Sequence, residues 1–287
     1  MNLFKNILIP VNEEMDVSVA IKKALELKDD TAVLCIHFVL YNYRNSLINI
    51  LNFFKRKKIY NTKIYNQLFQ ERFYILKNEI AKQCMTCVLS IDIIPANNVT
   101  NGFLKYIREN SIDLLLFSKS RSAHSFFLGK GININKIARK SSCSVLSAVP
   151  GCLNHSVKSI ILPVGSFLPE NKIQIAIAFA QKYNALIHLV TLLDDADEAH
   201  SKKKVDIFYK TYKTLQDCGF TPQYKILSKY ESHESLLKYA EQVKADLILL
   251  TPQKDSFISG KSDNSIVDFI SPYSHLLVLM TKPNMVA

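Results

Sequence analysis

Short runs of aliphatic and β-branched residues alternate along the chain with longer stretches in which apolar residues recur every three or four positions. The runs predict ten strands, near 5–11, 31–38, 87–93, 112–117 and 143–148, then 157–164, 184–191, 222–228, 245–251 and 275–281. Between them the helical spacing predicts helices near 14–28, 62–84, 98–109, 132–140, 168–182, 198–217, 232–243 and 263–270. In the stretch 62–84, Phe69, Phe73, Leu76 and Ile80 form one apolar stripe. Strands that are apolar throughout, alternating with amphipathic helices, are the pattern of an α/β protein whose parallel sheet is covered on both faces.

The pattern is written twice. Lys5-Asn6-Ile7-Leu8-Ile9-Pro10-Val11 returns as Lys158-Ser159-Ile160-Ile161-Leu162-Pro163-Val164, an offset of 153. Ala32 to His37 matches Ala185 to Val190 loosely at the same offset, and Ile112-Asp113-Leu114-Leu115-Leu116-Phe117 matches Ala245-Asp246-Leu247-Ile248-Leu249-Leu250 at 133. The first copy therefore carries about 20 extra residues between its second and fourth strands, assigned to Tyr41–Tyr60. Two domains follow, 1–150 and 156–287, joined by Pro150-Gly151-Cys152-Leu153-Asn154-His155.

A chain of 287 residues at 48% hydrophobic composition is long and apolar enough for two cores, which excludes a disordered chain. Its six cysteines are irregularly spaced, unlike a disulfide framework, and point to a reducing compartment; the expected location is the cytoplasm. The first residues lack the long apolar core and cleavage site of a signal peptide. Of the +11 formal charge, residues 1–150 hold 21 basic against 11 acidic side chains, and 151–287 hold 15 against 14. Only the first half has the basic excess that attracts nucleic acid, anionic lipid or an acidic partner.

In order and spacing, the first strand ending Ile-Pro-Val, the second strand ending near His37, the Asp-Leu-Leu-Leu-Phe fourth strand, and Lys136-Ile137-Ala138-Arg139-Lys140 before Cys143-Ser144-Val145-Leu146 resemble the universal stress proteins in their tandem two-domain form. The resemblance implies two Rossmann-like, adenine nucleotide alpha hydrolase-like domains, each a five-stranded parallel sheet of order 3-2-1-4-5 with helices on both faces. It also implies a join through the last strands, near Val145 and Leu277. Many relatives bind ATP through a loop G-x2-G-x9-G-[ST] after the fourth strand and an Asp after the first, because glycines admit phosphate to backbone N–H groups at a helix start.

Laid on this chain, the loop positions are Ser118, Arg121, Gly131 and Ile132 in the first copy and Thr251, Lys254, Asn264 and Ser265 in the second. One of the four family residues remains in each. The Asp position holds Asn12 and Gly165. Side chains at former glycines occupy the space of phosphate oxygens, so both ATP motifs are degenerate, while Arg121 and Lys254 keep positive charge in the loop.

Cys84-Met85-Thr86-Cys87 is a C-x-x-C placed at a helix C-terminus, opposite to the arrangement that activates a redox thiol, and is read as buried structural cysteine. The histidines show no metal-binding spacing, and no nucleophile elbow, P-loop or dinucleotide fingerprint is present. His37 and His188 are expected to be structural. In the inserted segment, Leu47, Ile50, Leu51 and Phe54 precede Lys55-Arg56-Lys57-Lys58, an amphipathic pattern suited to covering the sheet or to contact with an anionic surface. The expectation is a non-enzymatic cytoplasmic stress-response protein without a cofactor, acting through a protein partner or a second copy of itself, with no specific nucleic-acid site. The alternative is an adenine-nucleotide sensor that keeps ATP binding in one domain.

Overall fold

The computed structural model describes residues 4–11, 18–28, 33–41, 87–94, 98–118, 132, 134–148, 156–193, 198–228, 232–252 and 276–282, together with single positions between 71 and 82. The first half contains β1 (Asn6–Val11), α1 (Ser18–Leu27), β2 (Leu34–Tyr41), β3 (Cys87–Ile94), α2 (Val99–Glu109), β4 (Leu114–Ser118), α3 (Ile134–Lys140) and β5 (Ser144–Ala148). The second contains β6 (Ser159–Pro163), α4 (Glu170–Tyr183), β7 (Leu186–Leu193), α5 (Glu198–Asp217), β8 (Gln223–Ser228), α6 (Ser232–Gln242), β9 (Leu247–Leu250) and β10 (Leu277–Met280). All ten expected strands are present. Residues 71, 74, 77, 78, 80 and 82 are helical within the stretch read as 62–84, and Ile80 of its stripe is buried. The helix expected at 263–270 lies outside the described residues, as does the inserted segment except Tyr41, which is the last residue of β2.

The strands form one ten-stranded sheet of order β3-β2-β1-β4-β5-β10-β9-β6-β7-β8. Each half has the order 3-2-1-4-5 and is parallel throughout. The halves meet where β5 and β10 pair antiparallel, with Val145 opposite Met280 and Ser147 opposite Val278. That seam lies where the resemblance puts it, and it uses up both last-strand edges within a single chain.

Alternation along the strands sorts the core into two layers. Ile7 and Ile9 face one side, where α1, α4 and α5 contribute Ala24, Phe179 and Leu215. Leu8 faces the other, where Phe103 of α2, Ile137 of α3 and Leu236 of α6 pack. Both layers continue across the seam, since Leu146 and Leu279 belong to the first and Val145 and Val278 to the second. Strands buried on both faces have no polar alternation, which is why Leu114–Phe117 and Leu247–Leu250 are wholly apolar.

The register corrects one alignment. His37 lies opposite Leu8, and His188 lies opposite Ile161, the counterpart of Leu8 in the repeat of the first strands. The two histidines are thus structurally equivalent at an offset of 151, whereas matching the second strands at 153 had set Cys35 against His188. The reason is length: the first copy has two more residues between its first two strands. His37 lies 53 residues before its β3 neighbour Ser90, and His188 lies 35 before its β8 neighbour Gln223, so the remaining 18 extra residues fall between β2 and β3.

Candidate functional site

The aspartate that opens each fourth strand is a clamp. Asp113 Oδ2 accepts the backbone N–H groups of Lys5 and Asn6 at 2.7 and 2.9 Å, and Asp246 Oδ2 accepts those of Lys158 and Ser159 at 2.7 and 3.0 Å. The backbone of each is tied in the same way: Asp113 N–H donates to Asn6 O and its carbonyl accepts from Ser144, while Asp246 N–H donates to Ser159 O and its carbonyl accepts from Leu277. Through carboxylate and backbone together, the two aspartates hold the first, fourth and fifth strands of each half in register at the amino edge of the sheet. They serve the fold and leave the opposite, carboxyl edge for chemistry.

Ligands of open parallel sheets bind at the carboxyl ends of strands where the order reverses, here between β1 and β4 and between β6 and β9. At the second of these points Gly165 is buried two residues beyond β6 and offers no carboxylate. Thr251, directly after β9, is 2% exposed, and its Oγ1 lies 3.3 Å from Thr281 Oγ1. Its hydroxyl faces its neighbour on the β10 side. Lys172, in the first turn of α4, is 1% exposed and donates from Nζ to Pro163 O, the last carbonyl of β6, at 2.6 Å; the ammonium also lies 6.0 Å from the Phe167 ring centroid. Lys204 of α5 is 4% exposed and donates to Leu192 O near the end of β7 at 3.0 Å. The carboxyl edge of the second half therefore holds two buried ammonium groups seated on strand carbonyls, which the sequence analysis missed. No spacing rule singles out one lysine among fifteen in this half.

In the first half Ser118 is the last residue of β4, paired with Ala148, and Ile132 is buried in the layer of α2 and α3. An apolar side chain thus occupies the core where the family's loop has its hydroxyl. Asn12, Arg121, Gly131, Lys254, Asn264 and Ser265 lie outside the described residues, as do Lys55, Arg56, Lys57, Lys58 and Cys84. Cys87 starts β3, is half-buried and is disulfide-bonded, so the reading of it as a buried thiol is corrected. Cys143 does fit a buried structural thiol: it is 1% exposed, and burial pushes its pKa up to about 11.

A second repeated device lies in the middle of the sheet. Tyr106 OH is 3.0 Å from His37 Nδ1 and Tyr239 OH is 3.0 Å from His188 Nδ1, each pair meeting edge to face with ring centroids 5.9 Å apart. The tyrosines share the 133 offset of the clamp aspartates, a signal that was available in the sequence. In the first half Ser90 Oγ also lies 2.9 Å from His37 Nδ1, and Tyr106 donates to Asp92 Oδ2 at 2.5 Å. Burial lowers the pKa of both histidines, Asp92 partly opposing this at His37, and burial raises both tyrosines, assisted at Tyr106 by Asp92. The β8 positions level with Ser90 and Asp92 are Gln223 and Lys225, so only the histidine–tyrosine pair is common to both halves. A neutral imidazole held by a phenol in each copy is a polar brace between sheet and helix, as expected of structural histidines. Among the described residues no cluster of His, Cys, Asp and Glu could hold a metal, and no helix is long and apolar enough to cross a membrane.

No protein-family model and no curated protein matches this sequence. Solved structures do match its fold. A universal stress protein from Archaeoglobus fulgidus DSM 4304 superposes with a TM-score of 0.67 at 14% identity, covering 98% of each chain. A functionally unknown protein from Pseudomonas aeruginosa PAO1 gives 0.60 at 15%, covering 98% of this chain and 94% of its own. The cytoplasmic domain of a prokaryotic cation chloride cotransporter gives 0.51 at 12%, covering 96% and 95%. With both halves spanned end to end by such a neighbour, and with the 3-2-1-4-5 order repeated across an antiparallel seam, the chain has the fold of a two-domain universal stress protein.

Proposed function

We propose that the protein is a non-enzymatic stress-response protein that acts by binding another protein, with the ATP sites of both domains, 1–150 and 156–287, degenerate. The observation that carries this reading is the carboxyl end of β6. There Gly165 supplies no carboxylate for a nucleoside, and the buried ammonium of Lys172 is seated on the strand's last carbonyl. Ile132 packed into the core supports it, since an apolar side chain stands where the family's loop offers a hydroxyl to phosphate, and the buried Thr251 puts a side chain where that loop has its first glycine. The same fold occurs in a stress protein and in the cytoplasmic domain of a cotransporter, so the fold alone does not select a function.

Melting the full chain with 5 mM ATP and magnesium tests the reading. A site with a dissociation constant near 50 μM would add about 2.7 kcal/mol at 100-fold excess, a rise of roughly 5 °C or more. The expected shift is below about 1 °C. A rise of the larger size would overturn the degenerate reading and select the adenine-nucleotide sensor in its place.

A further inference from the structure

We propose that the outer edge of the second half, formed by β8 and the adjoining face of α5, is a docking surface for an extended, acidic-ended segment of a partner protein, which adds to the sheet as an eleventh strand. The proposal gives the protein-binding reading above a surface, and rests on that reading. β8 ends the sheet, and among the described residues it pairs only with β7. Four consecutive residues of it, Gln223 to Ile226, are exposed, with Tyr224 at 62% and Ile226 at 50%. An edge strand with bulky apolar residues in water is a template for strand addition; Lys225 is the one charge among Gln223 to Ile226, and by alternation it lies on the face away from α5.

Tyr224 and Ile226 alternate onto the α5 side, where Phe208 and Tyr212 hold the Tyr224 ring edge to face at 6.2 and 6.3 Å. The anchor is therefore already ordered before any partner arrives. On α5 the exposed residues Lys202, Val205, Tyr209 and Lys213 follow at spacings of three, four and four, a single stripe on which Val205 is 45% and Tyr209 65% exposed. An aromatic ledge on a helix beside a strand edge that no described strand covers suits a β-strand ligand, whose backbone pairs with the edge and whose alternate side chains rest on the ledge.

Charge selects the occupant. The stripe ends in a lysine on each side, about 16 Å apart along the helix axis at 1.5 Å per residue, with the exposed carboxylate of Asp206 between them, so the attraction for carboxylates is at the two ends. Carboxylates four to six residues apart on an extended strand, about 13–20 Å, match that separation. A second copy of this chain would present the same lysine-ended stripe, so that like charges meet. The near balance of this half, 15 basic against 14 acidic residues, provides no broad field for a membrane or a nucleic acid.

The probe is a fluorescein-labelled, end-capped peptide Glu-Thr-Ile-Thr-Val-Thr-Glu, read by anisotropy against the full chain, with Lys-Thr-Ile-Thr-Val-Thr-Lys as its partner control. The acidic peptide is expected to bind saturably below 1 mM and at least tenfold tighter than the basic one. Tyr209→Ser and Ile226→Lys should each weaken it at least tenfold while circular dichroism and melting stay unchanged, and Lys202→Glu with Lys213→Glu should reverse the preference. No saturable binding by 1 mM, equal binding of both peptides, or binding indifferent to these substitutions overturns the proposal. So does finding that the same substitutions instead abolish a dimer seen by sedimentation, or binding to phosphatidylserine vesicles or a single-stranded RNA oligonucleotide. ATP affinity does not enter this readout, so failure here and failure of the degenerate-site reading are separate results.

Discussion

Replacing the clamp aspartates gives the sharpest test of how the duplicated fold is held. In Asp113→Ala, two charge-assisted hydrogen bonds to Lys5 and Asn6 disappear, and in Asp246→Ala those to Lys158 and Ser159. Hydrogen bonds to charged groups contribute about 1.5–3 kcal/mol each. The donors at Lys5 and Lys158 are at the exposed edge, where water replaces the lost acceptor and removes most of the loss. The donors at Asn6 and Ser159 are part-buried and keep most of theirs. The expected loss is about 2–3 kcal/mol per alanine substitution, or roughly 3–5 °C in melting temperature for a chain of this size. Asparagine keeps one neutral acceptor in place and should lose about 1 kcal/mol. The two clamps lie in different halves with no shared partner, so the losses should add within about 0.5 kcal/mol. Guanidinium unfolding followed by far-ultraviolet circular dichroism reads these values as midpoint changes at constant slope. If both alanine variants fall within about 0.5 kcal/mol of the parent, the range of ordinary surface substitutions, the clamp argument is wrong.

Two further perturbations probe the layers on the sheet. His37 and His188 have native pKa values below the ordinary 6.5, chiefly through burial, so the unfolded chain binds more protons. Their contribution is intact above pH 6.5 and is lost as pH falls from there through the native pKa values. Melting temperature should drop between pH 7.5 and 5, and drop less in the His188→Gln variant; equal slopes would refute the assignment. Gly102 lets α2 approach β3 so closely that a Cβ there would collide with Ile94 Cγ2. Gly102→Ala should cost about 1–3 kcal/mol in overpacking, offset by about 1 kcal/mol of helix propensity, and combining it with Ile94→Ala should be less than additive. Stabilisation by Gly102→Ala alone, measured by guanidinium unfolding, would show that Ile94 yields freely.

The strands, the strand-helix alternation and the duplication were legible in one dimension, because these are local or periodic properties. A strand buried on both faces must be apolar throughout, and Leu114–Phe117 and Leu247–Leu250 are so written. The Asp before each of these strands was visible as part of the repeat, but its task was not: its carboxylate meets backbone donors 107 and 87 residues away. That His37 and His188 are the same position emerged from strand pairing, since a two-residue length difference is invisible until the strands pair. The tertiary structure alone placed Lys172 and Lys204 on strand carbonyls, because a buried lysine and a solvated one look identical in one dimension. The outer edge was hidden for a related reason. Tyr224 and Ile226 read as ordinary strand residues, and only the order of the finished sheet leaves β8 without a second neighbour among the described strands. Periodicity reports which faces of an element are apolar, whereas the neighbour that covers each face is fixed by contacts between residues far apart in the chain.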